Sequence, residues 1–284
     1  MDHFKIFVNL TRLNKPIGYM LLFWPCSWGL AYAYKIANEL NIFLYYLFLF
    51  FLGSILMRSA GCIVNDIVDQ DLDKKVRRTK NRPLASGSIS NARAIIYSAI
   101  LCFISFFILI QFNFKTILLG LSSMILAFAY PFMKRFTYWP QLFLGLTFNW
   151  GMIMGYTAIL DQISIEIIIL YISAIFWTLG YDTIYGIQDV ADDEIIGVKS
   201  TAIKFKKNIK LFVSICYLIS SLLIIITFAN SIKINLSTLF IIMFILSLIY
   251  QLKIFNKDDP NTCLKAFKIN NFSGILLFIS ILIS

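Results

Sequence analysis

The chain has 284 residues, of which 59% are hydrophobic and only 14% are charged. A soluble domain has about 45–50% apolar and about 25% charged residues, so this composition excludes an ordinary soluble protein and indicates a membrane protein. A single histidine, His3, argues against a histidine base or a histidine-bound metal. Five cysteines without a CxxC pair support neither a disulfide framework nor a zinc site.

Nine mostly apolar stretches approach the length of about 20 residues that a membrane-spanning helix needs. They predict an all-α, polytopic membrane protein with nine transmembrane helices. The predicted spans are Ile17–Tyr34, Ile42–Val64, Ala94–Phe112, Thr116–Met133, Pro140–Leu160, Ile165–Gly186, Leu211–Ala229, Leu236–Leu252 and Phe267–Ile283.

The basic residues lie mostly on one side of the predicted membrane. With the N-terminus inside, the outer segments carry only Lys35, Lys115 and Lys233, which is the positive-inside bias. This placement explains the net charge of +10 without a nucleic-acid partner, and an odd number of spans leaves the C-terminus outside. The N-terminus has neither a signal-peptide nor a transit-peptide pattern. We therefore expect a bacterial inner membrane with the N-terminus and two acidic stretches on the cytoplasmic side.

The first acidic stretch follows the second predicted span. If the helix continues past its apolar part, offsets of three, four and seven residues place Arg58, Asn65, Asp66, Asp69 and Asp73 along one stripe. Carboxylates at this spacing repel one another. A hard divalent cation removes that penalty, because oxygen atoms are its preferred ligands. The row of carboxylates therefore predicts a metal site at the membrane surface. Arg58 is a functional candidate in its own right, because an arginine inside a span is costly.

The second acidic stretch follows the sixth predicted span. Asp182, Asp189 and Asp193 recur at spacings of seven and four residues, so they share a helical stripe. The two stretches together hold nine of the 15 acidic residues, and both lie at the inner ends of spans. We therefore expect them to face each other across one site.

Two facing rows of carboxylates require a counter-charge, since two unit charges about 4 Å apart repel by about 4 kcal/mol at an effective dielectric near 20. Bound Mg²⁺ would supply it and would create a binding place for a diphosphate. Nearby side chains would bind the remaining phosphate oxygens. The candidates are Arg12, Arg77, Arg82, Tyr130, Lys134 and Lys199. With an apolar bundle for a hydrocarbon tail, this predicts a polyprenyl diphosphate substrate, although several of these residues also suit interface anchors of membrane helices.

Longer motifs carry a family resemblance. NDIVDQDLD matches the NDxxDxxxD motif of the UbiA family of intramembrane prenyltransferases, and DVADD matches its DxxxD motif. The segments RLNKPIGYMLLFWP, MRSAGCIVND, NRPL, YPFMKR and YDTIYGIQDVADDEIIGVKST are similar to the 4-hydroxybenzoate polyprenyltransferase branch of that family. The resemblance extends from residue 10 to about residue 205, and both acidic motifs are complete.

The resemblance implies one transmembrane domain over residues 1–284, with nine helices around a central cavity that opens laterally to lipid. It implies a Mg²⁺ cofactor, bound with the diphosphate by Asp66, Asp69, Asp73, Asp189 and Asp193. Tyr130 and Lys134 match a YxxxK pair near the diphosphate. The residues expected near an aromatic acceptor are Arg58, Asn65 and Asp182.

The implied reaction attaches a polyprenyl group to the ring carbon ortho to the hydroxyl of 4-hydroxybenzoate, a step of ubiquinone synthesis. Within the family, naphthoate, homogentisate or haem is an alternative acceptor. The CDP-alcohol phosphotransferases also combine membrane helices with aspartates, but their DG-x2-AR core is absent. A cation transporter is the non-enzymatic alternative, although transporter sites lie near the membrane midplane. Beyond the two substrates and the bilayer, no protein or nucleic-acid partner is expected.

Overall fold

The computed structural model describes residues 3–229 and 231–284, and within these ranges the chain forms helices and no strand. The helices are α1 (His3–Thr11), α2 (Ile17–Ala37), α3 (Leu40–Val68), α4 (Gln70–Asp73), α5 (Asn91–Leu109), α6 (Phe114–Phe136), α7 (Pro140–Leu160), α8 (Ile165–Gly186), α9 (Val190–Ile196), α10 (Thr201–Lys204), α11 (Ile209–Thr227), α12 (Leu236–Ile254) and α13 (Pro260–Leu282). A 3₁₀ turn at Ile187–Asp189 joins α8 to α9. The all-α fold is therefore confirmed.

Eight helical stretches of the described chain are long and apolar enough to cross a membrane. They are α3, α5, α6, α7, α8 together with α9, α11, α12 and α13, and each coincides with a predicted span. The remaining predicted span corresponds to α2, which has 21 residues but a lower mean hydropathy because it contains Trp24, Pro25 and Trp28. A multi-pass membrane protein is confirmed, and the ninth crossing stays a prediction.

Polar side chains fix the first turn of several helices. Asn113 Oδ1 accepts a hydrogen bond from the backbone N of Thr116 at 2.9 Å before α6. Asn235 Oδ1 accepts one from the backbone N of Thr238 at 2.9 Å before α12. Each cap satisfies a backbone donor that has no partner within the helix and contributes about 1 kcal/mol. Hydropathy locates the apolar middle of a helix, whereas these caps determine where it begins.

Glycines bring α2 and α7 into close contact. Gly151 of α7 faces the side chain of Cys26 on α2, and a methyl group added at Gly155 would overlap the backbone carbonyl of Cys26. In the opposite direction, Gly29 of α2 faces the backbone carbonyl of Met152 on α7. Small residues allow helix backbones to approach in a membrane, where van der Waals packing drives association. This contact holds α2, and the turn that precedes it, against the core of the bundle.

A buried polar network joins α8, α11, α12 and α13. Trp177 donates from Nε1 to Asn270 Oδ1 at 2.8 Å, and Asn270 donates from Nδ2 to Gln251 Oε1 at 3.0 Å. The hydroxyl of Tyr217 donates to the same oxygen of Gln251 at 2.6 Å. An unpaired polar group in an apolar surrounding is costly. These four side chains therefore fix the position of four helices relative to one another.

Candidate active site

The first acidic stretch keeps a helical path beyond the apolar part of α3. Backbone hydrogen bonds join Asp69 N to Asn65 O at 2.9 Å and Asp73 N to Asp69 O at 2.8 Å. Asp66, Asp69 and Asp73 therefore lie on one side of the chain, and their exposed fractions are 1%, 0% and 6%. Three carboxylates buried to this extent require hydrogen-bond partners, opposite charges or metal ions.

Two arginines bind the first and last of these aspartates. Arg12 Nη2 donates to Asp66 Oδ1 at 2.6 Å, and Arg82 Nη1 donates to the same oxygen at 3.1 Å. Arg82 Nη1 also donates to Asp73 Oδ2 at 2.8 Å. Arg12 lies in the turn before α2 with a φ of 56°, a left-handed conformation that is uncommon outside glycine and that concentrates at functional sites. Both arginines therefore lie at the carboxylates of the first stretch.

The middle aspartate is paired with a lysine from another helix. Lys134, near the end of α6, donates from Nζ to Asp69 Oδ2. Burial raises the pKa of Asp69, and the ammonium group of Lys134 opposes that shift. Two carboxylate oxygens, Asp66 Oδ2 and Asp69 Oδ1, are buried without a hydrogen-bond partner.

These two oxygens fit a hard divalent cation. Mg²⁺ prefers oxygen ligands and is usually held by one or two carboxylates together with phosphate oxygens and waters. Among the residues that the structure describes, no three aspartate, glutamate, histidine or cysteine side chains converge into a metal-binding group. A metal site made of these two carboxylate oxygens and completed by phosphate oxygens agrees with the two unpartnered oxygens and with the absence of a third converging side chain among the described residues.

Arg78 connects the second acidic stretch to the loop that follows the first. It donates to both carboxylate oxygens of Asp189, from Nε to Oδ1 at 2.7 Å and from Nη2 to Oδ2 at 2.5 Å. Its Nη1 donates to the hydroxyl of Tyr185 at 3.1 Å. Asp193 lies one turn further along the chain, on α9, and is partly buried. The two acidic stretches therefore lie at the same end of the bundle.

Two of the phosphate ligands expected from the sequence, Arg77 and Lys199, have side chains that do not contact the carboxylates of the first acidic stretch. The side chain of Arg77 is 93% exposed, and its ion pair with Asp192 is long at 3.9 Å. Lys199 donates from Nζ to the backbone carbonyl of Phe136 at 3.3 Å. The structure brings Arg78 to the site instead, and the sequence interpretation missed it. Arg77 and Arg78 are adjacent in a polar loop, and the sequence of such a loop does not indicate which of the two side chains points toward the site.

A cavity of about 1250 Å³ extends from this charged end into the bundle. Arg12, Lys15, Arg78 and Arg82 line its charged end, and the carboxylates that the arginines bind lie behind them. The remaining wall is mostly apolar, and its residues include Leu21, Phe50, Leu109 and Met154. The predicted central cavity is therefore present, and its two ends suit a molecule with a charged head and a hydrocarbon tail.

Residues of α2 and α13 form part of the cavity wall. Trp24 of α2 donates from Nε1 to Asn271 Oδ1 of α13 at 2.9 Å, which joins the two helices at that level. Nearer the charged end, Ile17 of α2 and Lys268 of α13 both line the cavity, and Lys268 is exposed at the same time. The Trp24–Asn271 hydrogen bond therefore fixes α2 against α13 at the cavity wall.

The three residues expected near an aromatic acceptor all line this cavity. They are Arg58, Asn65 and Asp182, and Tyr130 lines it with them. The guanidinium carbon of Arg58 lies 5.4 Å from the ring centroid of Phe148, and its Nε is buried without a hydrogen-bond partner. A buried cation with an unused donor is suited to bind an anionic group.

Comparison with known proteins agrees with this site. A sequence model of the UbiA prenyltransferase family matches residues 22–279. The chain is 39% identical to "4-hydroxybenzoate polyprenyltransferase, mitochondrial" of Drosophila pseudoobscura pseudoobscura, over 98% of this chain and 70% of that protein. It is 41% identical to "4-hydroxybenzoate octaprenyltransferase" of Psychromonas ingrahamii, over 96% of this chain and 94% of that protein.

The fold is also similar to a solved structure. A UbiA homolog from Archaeoglobus fulgidus, bound to GPP and Mg²⁺, superimposes with a TM-score of 0.71 at 18% identity. The superposition covers 98% of this chain and 100% of that one. The family match covers most of the sequence and includes both acidic motifs, and the relatives align over nearly the whole chain. This chain belongs to the UbiA prenyltransferase family.

Proposed function

We propose that this protein transfers a polyprenyl group from a polyprenyl diphosphate to the ring carbon ortho to the hydroxyl of 4-hydroxybenzoate, with Mg²⁺ as cofactor. The names of the two relatives support this reaction. The observation that carries it is the pair of buried, unpartnered oxygens, Asp66 Oδ2 and Asp69 Oδ1, beside the cations at the charged end of the cavity.

The cations at the charged end bind the diphosphate in this proposal. Arg12, Arg78 and Arg82 line the cavity and hold carboxylates on their other side. Arginine forms paired hydrogen bonds with carboxylate and with phosphate alike, so a diphosphate can take over a guanidinium that an aspartate now holds. Each such exchange releases a carboxylate oxygen for a metal ion. The arrangement therefore couples donor binding to the availability of acidic ligands.

The acidic side chains hold the metal ion. Asp66 and Asp69 would hold it through their unpartnered oxygens, with Lys134 beside Asp69. The further candidate ligands are Asp73, Asp189 and Asp193. When bound, Mg²⁺ acts as a Lewis acid and stabilises the negative charge on the departing diphosphate. Lys134 and the cavity arginines add fixed positive charge at the same place.

Arg58 positions the aromatic acid. Its guanidinium pairs with the carboxylate of 4-hydroxybenzoate, and Phe148 holds that guanidinium in place through its ring face. Asn65 and Asp182 line the cavity nearby and supply hydrogen-bonding groups to the acceptor. This leaves the acceptor ring between the charged end, where the diphosphate binds, and the apolar body of the cavity.

The cavity wall protects the reactive prenyl group. Loss of diphosphate leaves an allylic carbocation, which water would capture. The rings of Tyr130, Phe148 and Tyr181 line the cavity, and aromatic faces stabilise a nearby cation. The apolar wall excludes water, so the ring carbon of the acceptor is the available nucleophile. It forms the new carbon–carbon bond, and its proton then passes to the departed diphosphate.

We also propose that residues 1–284 form one transmembrane domain in a bacterial inner membrane, with the N-terminus and both acidic stretches facing the cytoplasm. The distribution of basic residues supports this orientation, because they concentrate at the charged end of the bundle. At the other end, Lys35 donates to Ser231 Oγ at 3.0 Å and Lys115 donates to the backbone O of Asp161 at 2.6 Å.

A single assay tests the proposed reaction. Purified protein in lipid nanodiscs receives 4-hydroxybenzoate, prenyl diphosphates of several lengths, and either Mg²⁺ or a chelator. We expect prenylated 4-hydroxybenzoate, identified by mass, with Mg²⁺ and none with the chelator. If only naphthoate, homogentisate or haem gave a prenylated product, that compound would be the acceptor in place of 4-hydroxybenzoate. If none of the four compounds were prenylated, the proposal would be overturned.

A further inference from the structure

Lys15 lies among the cations of the cavity but has no acidic partner. It lines the charged end together with Arg12, Arg78 and Arg82. Lys15 is exposed on its solvent side, and partial burial together with the positive charges of these three arginines lowers its pKa. No ion pair joins Lys15 to a carboxylate within residues 3–229 and 231–284. Lys15 is therefore an uncompensated positive charge at the cavity wall.

The neighbouring cations are already engaged. Arg12 and Arg82 bind Asp66, and Arg78 binds Asp189 through two hydrogen bonds. Arg78 has to release Asp189 before its paired nitrogens can turn to a phosphate, and Arg12 and Arg82 each have one nitrogen committed to Asp66. Lys15 has no such contact to break, so it can bind an incoming anion at once.

The backbone holds Lys15 at this place. Lys15 N donates to Arg12 O at 2.9 Å, and Gly18 N donates to Lys15 O at 3.2 Å. Arg12 adopts its left-handed conformation in the same turn, and the ring of Pro16, which follows Lys15, fixes its own φ angle. The turn thus brings Arg12 and Lys15 to one space despite the repulsion between them. Strain and like charge of this kind persist where function requires them.

We propose that Lys15 is the first cation to bind the diphosphate head group of the prenyl donor, before the arginines exchange their carboxylates for phosphate. The inference rests on the proposed function, since it takes a prenyl diphosphate as the substrate of this cavity. A positive field in a cleft with apolar walls concentrates anions and accelerates their association. Lys15 lies two residues before α2, whose first turns line the cavity.

The test compares K15Q with K80Q in the full-length protein in nanodiscs. Lys80 is exposed and does not line the cavity, so its replacement removes the same charge from a nearby loop. Stopped-flow measurements follow the association of inorganic pyrophosphate, with and without Mg²⁺, at several salt concentrations. We expect K15Q to slow association by about tenfold or more and to flatten its salt dependence, while K80Q keeps the wild-type rate.

Turnover gives a second readout. K15Q lowers kcat/KM for the prenyl donor and preserves kcat at saturating donor, and K15R restores kcat/KM. Unchanged pyrophosphate association in K15Q would overturn the proposal, and so would a loss confined to kcat. Protein that binds pyrophosphate through Lys15 but prenylates no 4-hydroxybenzoate would support this inference and overturn the proposed reaction, so the two failures are distinguishable.

Discussion

Arg78 and Asp189 are 111 residues apart in the sequence and are joined by hydrogen bonds of 2.7 and 2.5 Å. The arginine belongs to the loop after the first acidic stretch, and the aspartate lies in the second. Bidentate pairs between a guanidinium and a carboxylate are among the stronger charge-assisted contacts. The side chain of Asp189 is 16% exposed, so solvent screens the pair only in part. This one contact closes the charged end of the cavity across the bundle.

Arg78→Gln should impair donor binding strongly. It removes a guanidinium that lines the cavity and that holds Asp189, and hydrogen bonds to charged groups contribute about 1.5–3 kcal/mol each. We expect kcat/KM for the prenyl diphosphate to fall by about 100-fold or more. The matched control is Arg77→Gln, because the side chain of Arg77 is 93% exposed. Equal losses in the two variants would contradict the assignment of Arg78.

Asp66→Asn and Asp69→Asn should each nearly abolish prenyl transfer. Both changes keep the shape of the side chain and remove the negative charge that a metal ion requires. We expect turnover to fall by about 10²–10³-fold, even at high Mg²⁺. Asp71→Asn serves as the control, because the side chain of Asp71 is 90% exposed. A Mg²⁺ titration of initial rates makes the measurement, and near-normal turnover in Asp66→Asn or Asp69→Asn would refute the metal assignment.

Arg82→Gln should change the Mg²⁺ requirement. Arg82 contacts Asp66 and Asp73 with one nitrogen, at 3.1 and 2.8 Å, so it orients two candidate ligands. Residues that orient metal ligands typically affect metal affinity by about 10–100-fold, and we expect the half-saturating Mg²⁺ concentration to shift by that amount. Arg93→Gln, at an exposed position, is the control. An unchanged Mg²⁺ dependence in Arg82→Gln would argue against this role.

Arg58→Gln should act on the acceptor. The guanidinium of Arg58, whose Nε is buried without a partner, pairs with the carboxylate of 4-hydroxybenzoate, so its loss should raise the KM for that acid by about tenfold or more. Binding of pyrophosphate should remain as in the wild type. The KM for 4-hydroxybenzoate and the dissociation constant for pyrophosphate are measured on the same protein preparation. A parallel loss of pyrophosphate binding would show that Arg58 belongs to the diphosphate site instead.

Gly155→Ala should destabilise the bundle. The added methyl group would overlap the backbone carbonyl of Cys26, and overpacking of this kind typically costs about 1–3 kcal/mol. Gly61→Ala is the matched control, because no atom lies within 4 Å of a methyl group added at Gly61. Thermal unfolding in detergent should show a lower midpoint for Gly155→Ala alone. Equal midpoints would mean that α2 and α7 can separate without cost.

The positions of the spans could be predicted, because each is a long apolar stretch bounded by polar residues or helix-breaking residues. The predicted spans Pro140–Leu160 and Ile165–Gly186 agree with α7 and α8 to the residue. The predicted end of the second span was four residues too early, since α3 continues to Val68. Polar residues ended the apolar pattern there, but they did not end the helix, and the backbone hydrogen bonds continue into the acidic stretch.

The pairing of side chains across the bundle could not be predicted in the same way. The sequence placed acidic and basic groups at one end, but it gave no reason to choose Arg78 over Arg77. That choice depends on how the loop after α4 folds against α8, and such loops have no periodicity. Lys15 is likewise a basic residue just before a membrane helix, a position that suits an interface anchor, and only its place beside three arginines distinguishes it.

The network of Trp177, Asn270, Gln251 and Tyr217 divides the bundle into a stiff half and a compliant half. Sliding of α8 against α11, α12 or α13 would strand amide and indole groups in hydrocarbon, which is costly. Among the described residues, no side-chain hydrogen bond of this kind joins α5 to α6. Hydrogen bonds of Lys134 and Trp150 hold α6 to α3 and α7, so α5 is the compliant element. A donor with a longer tail should displace α5 outward, while the stiff half keeps Asp189 in reach of the reacting diphosphate.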